Sequence, residues 1–180
     1  KLEDKMKLIE LHLTMAYEAK VNYQDCFGQV RMWDTIIFNH LKSKNIVAPA
    51  VIESKESRGY EGAYVKDPVV GFHDWIVSFD LNSLYPHLIM QYNISPETMV
   101  GYEKGVVNVE NMLNQKSDLS NLDGVTITPN GARFRTDKQG FLPELMDKLY
   151  KERVIYKNKM AKAKALYEET GDERLKNEIS

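Results

Sequence analysis

Apolar residues recur at three- and four-residue intervals in two stretches near the front of the chain. Leu2, Met6, Ile9, Leu13 and Met15 predict a helix over residues 2–19, and Val30, Trp33, Ile36, Ile37 and Leu41 predict another over 28–43. Asn22 to Gly28 reads as the turn between them, and Pro49 to Gly59, rich in proline and small or charged residues, as a linker. From Glu61 the period changes. Trp75-Ile76-Val77-Ser78-Phe79-Asp80-Leu81 is short, β-branched and aromatic, and predicts a buried strand. Ser83 to Tyr92 predicts a helix, Asn93 to Gly101 an extended connection. Gly124 to Gly140, with Val125, Ile127, Pro129-Asn130-Gly131 and Phe134, predicts a hairpin. One long helical run follows Phe141-Leu142-Pro143 to about Tyr167, with a break at Gly171. The expected class is α+β: a helical N-terminal segment, a small, mostly antiparallel sheet around Asp80, then long helices.

Composition narrows this little. At 180 residues, 43% hydrophobic and 10% aromatic, the chain has the material for a packed core. A formal charge of −2 gives no global pull toward nucleic acid. The charge is uneven, however. Seven basic residues (148, 151, 153, 157, 159, 162 and 164) face one acidic residue, Glu152, between Lys148 and Lys164, a local charge of +6. On a helix Arg153, Lys157 and Lys164 share a face beside an apolar stripe of Leu145, Leu149, Tyr156, Met160 and Ala163. Such a face is either simply solvated or presents cations to phosphates. The single Cys26 allows no intrachain disulfide and reads as a small buried hydrophobe in a reducing cytoplasm. No stretch approaches the ~20 apolar residues of a membrane span. Lys1 and Ser180 both fall inside helical patterns, so both ends read as cut from a longer polypeptide.

Candidate chemistry concentrates in Ser78-Phe79-Asp80-Leu81-Asn82-Ser83-Leu84-Tyr85-Pro86. A strand ending in a carboxylate is followed by a tight turn and a helix with Ser83 at its N-cap. Pro86 falls in the first turn, where a missing N–H costs nothing. Asp80 is a candidate ligand for a divalent cation, and the free N–H groups of Ser83, Leu84 and Tyr85 form a seat for phosphate oxygens. A cation beside such a seat suits a magnesium–nucleoside triphosphate. Tyr85 is placed to lay its ring beside a sugar. Taken alone, the same residues also suit a capping or salt-bridged aspartate and a packing tyrosine.

Asp80-Leu81-Asn82-Ser83-Leu84-Tyr85-Pro86, continuing through Asn93-Ile94-Ser95-Pro96-Glu97-Thr98, resembles the first catalytic motif of family B DNA polymerases, of the T-even-like bacteriophage type. Arg58-Gly59-Tyr60-Glu61-Gly62-Ala63-Tyr64-Val65-Lys66-Asp67-Pro68 resembles the family's Tyr-x-Gly-Gly loop between the exonuclease and polymerase regions. Leu142-Pro143 with Arg153 and Lys157 resembles the start of the fingers. The resemblance implies a right-hand polymerase fragment: residues 1–56 the helical end of the exonuclease region, 57–140 a partial palm, and 141–180 the start of the fingers. It implies that Asp80 and the Leu81 carbonyl hold Mg2+ in a two-metal site, and that Asn82, Ser83 and Leu84 bind nucleotide. Tyr85 would exclude a 2′-hydroxyl, and Arg153 and Lys157 would clamp the triphosphate and take part in catalysis. Tyr60, Glu61, Gly62 and Ala63 would touch DNA. Implied partners are primer-template DNA, deoxynucleoside triphosphates, the remainder of the polymerase and a sliding clamp, with location in the cytoplasm, a host's if the source is viral.

Two departures stand out. Ala63 replaces the loop's second glycine, and His87 sits where many relatives carry a small residue; it reads as a solvent-facing or hydrogen-bonded ring in preference to one tuning binding near neutral pH. The second carboxylate motif, the fingers lysine motif and the exonuclease acidic cluster do not occur in these residues, so the chain by itself is expected to be inactive. A subunit of a split polymerase and a non-catalytic DNA-binding or assembly module of the same fold are the alternatives. An open sheet edge is also expected to favour self-association.

Overall fold

The structure, a computed structural model, describes residues 3, 6–48, 50, 65–103, 107, 109–117, 119, 122–176. It divides into two compact units, Lys1–Val77 and Ser78–Ser180. The predicted linker from Pro49 lies almost wholly outside the described residues, as do Tyr60, Glu61, Gly62 and Ala63.

In the first unit, α1 (Leu8–Ala19) and α2 (Gln29–Ser43) form where the periodicity places them, joined through a 3-10 turn at Tyr23–Phe27. The Glu3 carboxylate accepts the Ile9 N–H at 3.0 Å, occupying one of the donors that a helix start leaves open. Both helices end in the same way. Lys20 and Asn45 turn left-handed (φ 56° and 58°), and the residues after them, Val21 and Ile46, donate to Ala16 and Leu41. Ala16, Ala19, Cys26 and Leu41 are buried, Cys26 as expected of a small hydrophobe. Met6, Ile9 and Leu13 of the predicted apolar stripe are exposed.

The second unit is built around a three-stranded antiparallel sheet in the order β1-β3-β2, with β1 Met99–Tyr102, β2 Val125–Ile127 and β3 Ala132–Arg135. The hairpin is the predicted one. Val125 pairs with Arg135 and Ile127 with Arg133. Gly131, at φ +84°, closes the turn by donating to the Thr128 carbonyl at 2.8 Å, and a side chain there would strike the Glu103 carbonyl at 2.5 Å. β1 lies where an extended connection was expected. It pairs with β3 through a register shift between Met99 and Gly101, and Pro96 just before it and Gly101 within it mask so short an edge strand in sequence.

Helix α3 (Leu84–Gln91) precedes the sheet, a short α4 (Val109–Leu113) lies between β1 and β2, and α5 (Phe141–Thr170) follows. α5 buries Pro143, Leu145 and Ala163, and ends at Gly171, as the sequence predicts. Among the described residues no helix is long and apolar enough to cross a membrane.

One residue ties these parts together. Asn93 is left-handed (φ 55°) just past the end of α3, where its N–H reaches the Met90 carbonyl and the Ile94 N–H reaches Ile89. Its buried side-chain amide donates to the carbonyls of Arg135 (2.6 Å) and Lys138 (2.8 Å) and accepts the Gly140 N–H at 2.9 Å. The helix end, the last strand and the start of α5 are thus joined through a single amide.

The next residues extend the joint. Thr98 donates to the Asn93 and Ser95 carbonyls, Ser95 donates to Glu97, and Glu97 accepts the Phe141 N–H at 2.6 Å, capping α5. Gly140 has ordinary dihedrals but no room: an added Cβ would lie 2.5 Å from that of Ser95. Thr126 completes the joint by donating to the Tyr92 carbonyl at 2.6 Å.

The expected strand at residues 75–81 does not form. Trp75 adopts φ 60°, and Trp75 and Phe79 are 97% and 90% exposed. A strand needs a neighbouring backbone, and among the described residues the sheet is made by other segments. The β-branched and aromatic run therefore has neither a ladder nor a core to enter, and the sheet is not centred on Asp80 as expected.

Two outcomes test this architecture. Asn93→Ala is expected to destabilise the second unit by about 3 kcal/mol, because one buried and two partly buried backbone groups lose their partner. Asn93→Gly should cost roughly 1 kcal/mol less, since glycine accepts the left-handed conformation. Urea unfolding checks both, and a wild-type midpoint for the alanine variant would refute the joint. The second concerns acid. Partial burial pushes the Glu97 carboxyl up, but hydrogen bonds from the Ser95 hydroxyl, the Phe141 N–H and its own N–H, with the Lys138 charge, outweigh it and hold it below its ordinary 4.5. The unfolded chain then binds that proton more readily. The contribution of Glu97 to stability is whole above 4.5 and disappears as pH falls through the lower folded value. Thermal midpoints followed from neutral pH downward should fall less steeply for Glu97→Gln than for the wild type.

Candidate functional site

The start of α3 is chemically open. Ser83 takes the predicted N-cap position, but in a left-handed conformation (φ 52°) and without a side-chain capping bond. Its carbonyl accepts both the His87 N–H at 3.2 Å and His87 Nδ1 at 2.9 Å; a carbonyl only accepts, so Nδ1 carries the proton. His87 is thus exposed and hydrogen-bonded, as read from the sequence. The N–H groups of Ser83, Leu84 and Tyr85 have no acceptor within the helix, and Pro86 brings none. The positive end of the helix dipole points the same way.

Tyr85, at 75% exposure, projects from this first turn. Asp80 lies three residues ahead of Ser83 in the irregular segment that leads into α3, exposed and without a hydrogen bond or ion pair to another described residue. Leu81 and Asn82 are exposed beside it. Among the described residues, no group of three or more His, Cys, Asp or Glu side chains converges as a metal cage.

The positions of Arg153 and Lys157 follow from the joint at Asn93. The C-terminal end of α3 meets the start of α5 there, and one and a half turns earlier in α3 the His87 ring meets Tyr150 edge-on, with centroids 4.7 Å apart at 79°. Moving back along α3 therefore means moving forward along α5, so the two helices are antiparallel. Arg153 and Lys157 stand three and seven residues beyond Tyr150, on the same face. At 1.5 Å per residue, Arg153 lies about 4.5 Å further along α5 and Leu84 about 4.5 Å further back along α3. The open helix start thus lies level with Arg153, and Lys157 stands about 6 Å, one turn, beyond it on the same face.

Both cations are exposed. Three other cations of α5 are engaged: Lys151 with Asp147 at 2.6 Å, Lys148 with Glu152 at 4.0 Å, and Lys159 over the Tyr156 ring at 5.3 Å; Lys162 and Lys164, further along, form no ion pair with a described residue. Arg153 and Lys157 make no ion pair with a described residue, so their charge remains available.

Asn93 and Tyr150 were not singled out from sequence. For Asn93 a signal existed, an asparagine directly after a helical run. Tyr150 carries only its spacing from Arg153 and Lys157, which says nothing of α3.

Comparison with known proteins identifies the family. The DNA-directed DNA polymerase of Escherichia phage RB69 is 37% identical over 162 residues, 90% of this chain and 18% of the relative. That of Enterobacteria phage T4 is 35% identical over 158 residues, 87% of this chain and 17% of the relative. The DNA polymerase delta catalytic subunit of Caenorhabditis elegans is 29% identical over 170 residues, 91% of this chain and 14% of the relative. The chain therefore spans less than a fifth of the length of these relatives. The profile described as DNA polymerase family B matches residues 26–173, Asp80, the α3 start and the α5 cations included, and the chain belongs to that family.

Proposed function

We propose that this chain is part of a longer template-directed DNA polymerase, in which it contributes one carboxylate of the metal site and most of the triphosphate seat. The observation that carries this reading is the open start of α3 held level with Arg153 of α5, with Lys157 one turn further on and an exposed carboxylate just ahead of the helix. The donor set fits magnesium in part. Asp80 and the Leu81 carbonyl are oxygen ligands, and Mg2+ sites commonly take one or two carboxylates together with substrate phosphates. When bound, the metal lowers the cost of charge on the attacking and leaving oxygens.

The chain's own groups do the rest by position. The N–H groups of Ser83 and Leu84 hold phosphate oxygens, with Asn82 beside them, and orient the α-phosphorus toward a primer 3′-oxygen. Arg153 and Lys157 neutralise the charge that grows on the triphosphate as the bond breaks. Tyr85 meets the sugar and rejects a 2′-hydroxyl. Tyr60, Glu61, Gly62 and Ala63 belong to the DNA-contacting loop of this reading. Residues 1–56, 57–140 and 141–180 correspond to the exonuclease end, partial palm and fingers base. The exposed Met6, Ile9, Leu13, Trp75 and Phe79 support a larger protein around the chain, because apolar groups of this size gain free energy when covered.

The 180-residue chain is expected to extend no primer with magnesium and all four deoxynucleotides. The longer protein should do so, and Asp80→Asn should abolish it; retained magnesium-dependent extension would overturn the metal assignment. Tyr85→Ala in the longer protein should raise ribonucleotide incorporation by on the order of a hundredfold, if losing the contact is worth about 2–3 kcal/mol of discrimination. Alkali-labile sites in the extended product count these events, and an unchanged number would remove Tyr85 from the sugar contact.

A further inference from the structure

We infer that His87 is a positioning residue that couples the start of α3 to α5, and so sets the distance between the phosphate seat and the Arg153–Lys157 pair. The inference rests on the polymerase reading but concerns a residue with no reacting group to touch. His87 makes two contacts in different directions. Toward α3, Nδ1 donates to the Ser83 carbonyl at 2.9 Å, the carbonyl that also receives the His87 N–H. Ser83 is a non-glycine residue in a left-handed conformation, which costs on the order of 1–2 kcal/mol and persists only where its surroundings impose it. The second donor on its carbonyl helps impose it, and thereby aims the N–H groups of the first turn. Toward α5, the same ring stands edge-on to Tyr150 at 4.7 Å.

The Asn93 joint holds the two helices together only at the far end of α3. His87 sits in the first turn of α3, so its ring contact ties the two helices close to the seat. A small side chain there would leave Ser83 with one donor and α5 without its edge contact. Arg153, one turn past Tyr150, would then approach the triphosphate from a less defined position.

The test uses the longer polymerase and single-nucleotide extension. His87→Ala and Tyr150→Ala should each raise the KM for incoming deoxynucleotide roughly five- to tenfold, with kcat and primer-template Kd within twofold of the wild type. The double variant should be no worse than His87→Ala alone, because that change already removes the contact Tyr150 makes. His87→Phe keeps the ring edge without the Nδ1 donor and should recover part of the loss.

Arg153→Ala runs beside them as a control. If it leaves the KM unchanged, or the wild-type protein extends no primer, the polymerase-site reading itself fails. If Arg153→Ala raises the KM while His87→Ala does not, only the role of His87 is overturned. It is likewise overturned if His87→Ala weakens primer-template binding as much as nucleotide binding, which marks general loosening, or if the single effects add.

Discussion

The side-chain amide of Asn93 is the point on which the second unit turns. Three backbone groups from the end of β3 and the start of α5 find their partner there, in an amide that is itself buried. Only a few residues suit the position. The left-handed turn that ends α3 favours glycine or asparagine, and of these only asparagine carries two donors and an acceptor. Gly140 completes the constraint from the other side, since anything larger would collide with Ser95. Much of the remaining order follows from this joint, including the cap that Glu97 places on α5 and the antiparallel run of α3 beside α5.

That antiparallel run gives the site its form. A helix start offers N–H groups wherever it lies, and a basic helix offers cations, but neither is specific alone. Here the first turn of α3 is brought level with Arg153, with Lys157 one turn further on, while Lys148 and Lys151 are paired along their own helix. Lys162 and Lys164 are also unpaired, so nearness to the α3 start, and not the lack of a partner, sets Arg153 and Lys157 apart. Surface pairs at this spacing contribute little stability.

The apolar run at Trp75–Leu81 behaves differently. It has the composition of a strand and the exposure of a loop, and Asp80 sits within it. β-propensity measures how well side chains fit a half-buried pleated surface, and where no such surface is adjacent the preference has nothing to act on. The stripe on α5 shows the same logic in a milder form: Leu145 is buried near the joint, whereas Tyr156 and Met160 further along remain exposed.

What the sequence determined by itself was local. The helices at 8–19, 29–43, 84–91 and 141–170 and the 125–135 hairpin are legible because their signals (periodicity, turn residues, a terminal glycine) act over a few neighbouring residues. The motif around Asp80 and the pair Arg153 and Lys157 were legible for the same reason, as short runs of characteristic chemistry. Tertiary structure decided the rest. It placed β1 in the sheet and kept residues 75–81 out of it, made Asn93 a hub and not merely a helix stop, and set His87 against Tyr150. Each of these depends on a partner more than 30 residues away in sequence, or on the lack of one nearby, and a side chain's own preferences carry no information about that distance.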